Sequence, residues 1–115
     1  MAHLTATPRT AGDVTLLDLA GRITASGGDV ELREAVNRQL DAGARKILLD
    51  LGQVSTIDSS GIGELVSIYT RAGNRGGGLK LLHLPPKIRD LLVVTQLITV
   101  FEVHDDEDEA VKSFA

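Results

Sequence analysis

Short aliphatic runs alternate along this chain with segments of helical periodicity, and this alternation limits the possible folds more than any other feature. The run Lys46–Leu51 is aliphatic around a single aspartate and too short for a buried helix, so it predicts a central strand covered on both faces. Similar runs predict strands at Val14–Leu19, Leu79–Leu84 and Ile98–Val103. Strands that alternate with helices predict a largely parallel sheet with helical crossovers.

Four helical segments complete a β-α-β-α-β-α-β-α order. Asp29 is the predicted N-cap of the first helix, and Gly43 is its predicted left-handed end. Residues 2–8 leave room for an additional antiparallel strand. The expected fold is therefore an α/β sandwich with a mostly parallel sheet of four to five strands and about four helices. The helices are predicted at Val30–Leu40, Ile62–Ala72, Lys87–Thr95 and, opened by Asp105–Glu109, at the C-terminus through Phe114.

The composition excludes several classes of function. The chain has 115 residues, a net charge of −4 and no evident basic face, so binding to nucleic acid is not expected. It has no cysteine, which excludes disulfides, thiol catalysis and thiolate metal sites. Met1–Arg9 lacks the apolar segment of a secretory signal, and no apolar run approaches the ~20 residues of a membrane span. We expect one acidic, cytoplasmic domain without membrane contact.

The segment Thr56–Gly63 is the candidate functional loop, because it follows the central strand and opens a helix. Ser59 and Ser60 carry hydroxyls at a helix N-terminus, where the helix dipole favours a phosphoryl group. Helix capping is the simpler interpretation: Asp58 or Ser59 caps the helix, and Ser60 fills its first turn. Local chemistry alone leaves both interpretations open.

A longer pattern around this loop resembles the anti-sigma factor antagonist family, the bacterial STAS domain. The family hallmark is an Asp-Leu pair, followed after a short gap by an aliphatic residue and Asp-Ser-Ser/Thr-Gly-aliphatic-Gly. Asp50-Leu51 and Ile57–Gly63 match this hallmark, and the alignment needs no insertion or deletion. The segment beginning at Gly21 aligns as well, and the similarity covers roughly residues 12–113. The resemblance implies a single STAS domain over residues 1–115.

The resemblance implies a binding switch that is not an enzyme. In the family, the unphosphorylated antagonist binds an anti-sigma factor that is also a serine kinase; this frees a sigma factor and thereby regulates transcription. Phosphorylation releases the antagonist, and a serine phosphatase resets it. By position the acceptor is Ser59, with Ser60 as the alternative, and no cofactor, metal or small-molecule substrate is implied. The expected partner-binding residues are Asp58, Ser60, Gly61, Gly63, Glu64 and Thr24, with Ser67 as a further contact.

Thr24 departs from the family pattern. Many members have an acidic residue at this position, close to the phosphorylated serine, whereas here Thr24 is followed by the small residues Ala25–Gly28. The departure favours either an altered choice of partner or a second function, a STAS scaffold in a bacterial signalling complex that is not phosphorylated.

Other possible sites have less support. Gly73–Lys80 is rich in glycine like a phosphate loop, but it precedes a strand and its lysine has the wrong spacing. The histidines His3, His83 and His104 form no recognisable hydrolase pattern with the serines. A nucleotide-binding enzyme that uses the helix N-terminus at Ser60 remains a third hypothesis, supported only by the helix dipole.

Overall fold

A five-stranded sheet in the order β1-β2-β3-β4-β5 forms the centre of the computed structural model, which describes residues 3–115. β1 pairs antiparallel with β2, and all other pairs are parallel, so the mostly parallel sheet is confirmed. The additional antiparallel strand suggested at residues 2–8 is β1; residue 2 lies outside the described residues. The strands are β1 Leu4–Ala11, β2 Val14–Ile23, β3 Lys46–Ile57, β4 Gly78–Leu82 and β5 Val103–His104.

The expected four helices are present, with different bounds. They are α1 Asp29–Asp41, α2 Ser59–Asn74, α3 Pro86–Val94 and α4 Glu107–Lys112. The N-cap of α1 is Gly28 rather than Asp29, because Gly28 adopts a φ of 102° and Asp29 is already helical. The helix α2 begins at Ser59, before the predicted Ile62, because Asp58 caps it there. No helix within residues 3–115 combines the length and the apolar character needed to cross a membrane.

The predicted strand Ile98–Val103 is wrong over most of its length. Gln96 turns the chain with a left-handed φ of 64°, and a 3-10 helix follows at Leu97–Thr99. Leu97 and Ile98 pack on the main core instead of pairing with β4. These aliphatic residues therefore serve packing, and only Val103–His104 completes the sheet.

The sheet is covered on both faces, as the run in β3 predicts. On one face, Leu49 lies in the main core with residues of α1, α2 and α3. On the other face, Leu48 packs in a smaller cluster with Leu16 and with Ala110 of α4. Because Leu65 and Ile68 anchor α2 in the main core, the start of that helix is held firmly beyond the end of β3.

Candidate functional site

Asp58 connects the start of α2 to the loop between β2 and α1. Its Oδ1 accepts a hydrogen bond from the Gly61 amide at 3.0 Å, and its Oδ2 accepts one from the Ala25 amide at 3.0 Å. These bonds, first that from Ala25 and then that from Gly61, hold the pKa of Asp58 below its usual range. The capping interpretation is thus confirmed for Asp58, and the same carboxylate fixes the neighbouring loop.

Ser59 and Ser60 are the first residues of α2, and both are exposed. Neither hydroxyl caps the helix, since Asp58 takes that role. The hydroxyls lie at the end of the helix where amides lack intrahelical partners and where the dipole is positive. An anionic group on either serine is electrostatically favoured there.

The two glycines of the predicted site differ in their surroundings. A Cβ at Gly61 would lie 2.1 Å from the carbonyl oxygen of Ile23 and 2.6 Å from Cγ1 of Ile57. Gly61 is therefore required by the close approach of β2 to α2. A Cβ at Gly63 would meet nothing within 4 Å. The exposed Gly63 instead leaves a bare helix surface beside the serines.

Glu64 faces α1 rather than solvent. Its side chain is 10% exposed, and its Oε1 lies 3.5 Å from Nη1 of Arg33. Its Oε2 is buried without a hydrogen bond among the residues that the structure describes. Ser67, one turn further along α2, is exposed. Of these two predicted contacts, Ser67 is open to a partner, and Glu64 presents little of its surface.

Thr24 closes a compact turn next to Asp58. Its Oγ1 donates to the carbonyl oxygen of Gly27 at 2.9 Å, and its amide donates to the same oxygen at 2.9 Å. Gly28 completes the turn with its positive φ, and a Cβ there would lie 1.7 Å from the carbonyl oxygen of Arg22. The Thr24 hydroxyl is thus hydrogen-bonded within its own loop.

Two residues of the site, Ala25 and Arg33, could not be identified from the sequence. Ala25 holds Asp58 through its backbone amide, which any residue except proline supplies, so no side-chain signal marks it. Arg33 is one of several basic residues on helices and is half-buried, and only the packing of α1 against α2 shows that it pairs with Glu64.

Replacing Asp58 with asparagine is expected to lower the melting temperature at pH 7, because the amide's single oxygen cannot serve both backbone donors. The folded pKa of Asp58 is depressed, so its contribution is complete above the unfolded value, near 3.8, and is lost as the pH falls through the folded pKa. Thermal unfolding at pH 7 and below pH 3 should therefore show a difference between wild type and variant that shrinks in acid. The exposed Asp90 on α3, changed to asparagine, is the control.

Known proteins share this fold and parts of this sequence. The anti-sigma F factor antagonist of Paenibacillus polymyxa is 25% identical over 100 residues, which cover 84% of this chain and 83% of the relative. The crystal structure of TM1081 from Thermotoga maritima has a TM-score of 0.86 at 24% identity, covering 95% of this chain and 93% of that one. The anti-sigma factor antagonist SpoIIAA in its unphosphorylated form has a TM-score of 0.69 at 17% identity, with coverage of 95% and 96%.

SpoIIAA from Bacillus in its phosphorylated form also shares the fold, with a TM-score of 0.71 at 18% identity and coverage of 96% of this chain and 100% of that one. These structural likenesses concern the arrangement of strands and helices. The family model described as the STAS domain matches residues 6–110, which is most of the chain. The chain therefore belongs to the STAS-domain family.

Proposed function

We propose that this chain is an anti-sigma factor antagonist that is switched off by phosphorylation of Ser59. The unphosphorylated protein binds, in the cytoplasm, an anti-sigma factor that is also a serine kinase, and thereby regulates transcription. The observation that carries the proposal is the exposed Ser59 at the first position of α2, with Asp58 rather than Ser59 acting as the cap. The relative named anti-sigma F factor antagonist, which aligns over most of this chain, supports the partner class.

The surface around Ser59 suits a protein partner. Ser60, Gly63 and Ser67 are small and exposed, and they follow one another along the start of α2. The Thr24 turn lies beside them because Ala25 is bonded to Asp58. Small side chains on a firmly held helix let a partner backbone approach closely at little entropic cost.

Phosphorylation would act on this surface through charge. A phosphoryl group adds about −1.5 to −2 charges at pH 7. In the free protein, the positive end of α2 stabilises that charge. At the centre of an interface the charge loses its water and must find cations, so the complex becomes weaker. A serine phosphatase then restores the binding form.

The contacts of the three histidine rings support binding rather than hydrolysis. The Nδ1 of His83 lies 3.1 Å from Oδ2 of Asp50, and the Nε2 of His104 lies 2.6 Å from Oε2 of Glu102. Asp50 lies on β3 and Glu102 directly precedes β5. The Nδ1 of His3 lies 2.6 Å from Nη2 of Arg22, so each of the three rings has a partner other than a serine at the start of α2. We propose that the protein acts by binding and that its partner supplies the catalysis.

A scaffold that is not phosphorylated is the second candidate, and Thr24 is the observation that favours it. Thr24 has a hydroxyl in place of a carboxylate, and this hydroxyl is bonded within its own turn, so Thr24 offers no negative charge to the serine or to an incoming kinase. In that case, Ser59 and Ser60 would form part of a permanent interface.

Phosphopeptide mapping of the protein isolated from its source cells, during growth and under stress, tests the proposal. Phosphate is expected on Ser59, in an amount that changes between conditions and disappears in a Ser59→Ala variant. A Ser60→Ala variant is the matched control and should keep the label. Phosphate on Ser60 alone would show that Ser60, rather than Ser59, accepts the phosphoryl group. The absence of phosphate in every condition would favour the scaffold.

A further inference from the structure

Residues 91–100, at the end of α3 and just after it, form an apolar surface that we call the α3-end surface. Within residues 3–115, five large apolar residues are exposed, and four of them lie in this segment. The segment has no charged residue, although 24% of the chain is charged. Exposed apolar residues that cluster in this way mark a site of interaction, whereas single ones need no explanation. The four residues are Leu91, Val93, Val94 and Val100.

The threonines of the α3-end surface add little polarity to it. The Thr95 Oγ1 donates to the carbonyl oxygen of Leu91 at 2.7 Å, and the Thr99 Oγ1 donates to that of Gln96 at 2.9 Å. The main-chain amides of Thr95, Gln96 and Val100 also donate within residues 91–100. Because these donors are already bonded inside the segment, covering them takes no hydrogen bond to water away from them. The α3-end surface can therefore be buried at little cost.

A hollow of about 470 Å³ adjoins the α3-end surface at Val100. Tyr69 of α2 also lines it, and its ring is held edge-on against Phe101 with the centroids 5.2 Å apart. Lys80 and Glu102 line it too, but they pair with each other at 2.9 Å. The hollow is thus a recess with a fixed aromatic wall, and the α3-end surface has protruding valines beside it. A surface with both features can fit a copy of itself across a two-fold axis.

We propose that the α3-end surface and the adjoining hollow form the interface of a homodimer. Each copy has a net charge of −4, so two copies repel each other unless they meet where neither is charged. Residues 91–100 provide such a surface. The absence of cations in this segment disfavours an anionic lipid surface as the occupant. The segment and the lining of the hollow come just below the roughly 20–30 residues that a stable interface uses on each side, so the dimer is expected to be weak.

This interface leaves the surface around Ser59 free. The helix α2 has 16 residues, so its two ends lie roughly 22 Å apart. Ser59 begins the helix, whereas Asn74, at its other end, lines the hollow. Each copy of the dimer would therefore keep its serines accessible. The inference holds whether or not Ser59 is phosphorylated, and its test does not involve the proposed partner.

Sedimentation equilibrium of the full chain, from micromolar to millimolar concentration, tests the proposal. The mean mass should rise with concentration from that of one chain to that of two. Val94→Glu should raise the Kd of the dimer at least about tenfold, because two added carboxylates would lose water at the interface. Val94 is 79% exposed, so folding should not suffer, and thermal unfolding checks this. Val30→Glu, at an exposed valine on α1, is the matched control and should change the Kd less than about twofold.

A second variant and a salt series separate the contact from general effects of charge. Val100→Glu, at the recess, should also raise the Kd at least about tenfold. Added salt should leave the dimer unchanged or strengthen it, because screening reduces the repulsion between two acidic chains. A chain that stays monomeric at millimolar concentration, or a dimer that either variant leaves unchanged, would overturn the proposal. Co-sedimentation of a monomeric chain with phosphatidylcholine vesicles would overturn it as well and assign the surface to a lipid.

Discussion

Replacing Gly61 with alanine is expected to lower the free energy of unfolding by roughly 2–3 kcal/mol, the usual cost of overpacking a close contact. The new Cβ would lie 2.1 Å from the carbonyl oxygen of Ile23, a backbone atom that cannot rotate away. Replacing Gly63 with alanine is expected to raise the free energy of unfolding by about 0.5–1 kcal/mol, because alanine favours the helix and the site is open.

Urea and thermal unfolding of both variants check this prediction. At this chain length the Gly61 variant should melt about 10 °C below the wild type, and the Gly63 variant slightly above it. Equal stability of the two variants would mean that the end of β2 yields to the extra methyl group. The close approach of Ile23 to α2 would then play no part in holding the site.

The same pair of variants separates folding from docking. Gly61 donates its amide to Asp58, so displacing it disturbs the cap and, through Ala25, the Thr24 turn. Gly63 takes part in none of these contacts and lies on the exposed side of α2. A loss of partner binding in the Gly63 variant, without loss of stability, would place that residue in the interface.

The parts of the fold that depend on local pattern could be predicted from the sequence. The aliphatic run Lys46–Leu51 forms the buried half of β3, and its length favoured a strand because buried helices are longer. The second half of β3 was less evident because it lacks the alternation of a regular strand: Leu51, Val54 and Ile57 are buried, and the two residues between each pair of them are exposed. Gly52 interrupts the aliphatic pattern there without ending the strand.

The last strand shows where pattern is insufficient. Ile98–Val103 has the β-branched composition of a strand, but this composition equally suits side chains that pack on a core from an irregular segment. The left-handed turn at Gln96 decides between the two outcomes, and glutamine is not a residue that announces such a turn. Tertiary packing, rather than local preference, therefore determines the chain near β5.

The residues at the start of α2 could be placed from the sequence. The contacts that α2 makes with other helices could not. Asp58, Ser59 and Ser60 lie as the motif predicts, with the aspartate capping the helix and the serines exposed. Glu64 was expected to face a partner, but the packing of α1 on α2 turns it towards Arg33. A helical periodicity does not tell which neighbour covers each side of the helix.

If the proposed function holds, replacing Ser59 with glutamate is expected to weaken binding of the proposed anti-sigma factor partner about 100-fold, or about 2.7 kcal/mol. At the centre of the proposed interface, the added carboxylate would lose its hydration, which weakens the complex unless the partner supplies a cation. Folding should not suffer, because an acidic residue in the first turn of a helix is favourable by about 0.3–1 kcal/mol. The measurement is the Kd for the serine kinase that labels the wild-type chain, combined with thermal unfolding of each variant.

Two controls make this result specific to Ser59. Thr70→Glu places the same charge on an exposed position of α2 three turns further along, and it should leave the Kd within about twofold of wild type because screening by salt weakens distant charges. Ser60→Glu has the same effect on the helix dipole as Ser59→Glu, so any difference between the two variants reports on the interface itself. A larger loss of binding from Ser60→Glu would assign the switch to Ser60. Unchanged binding by both variants would contradict the switch, since the first turn of α2 would then lie outside the interface.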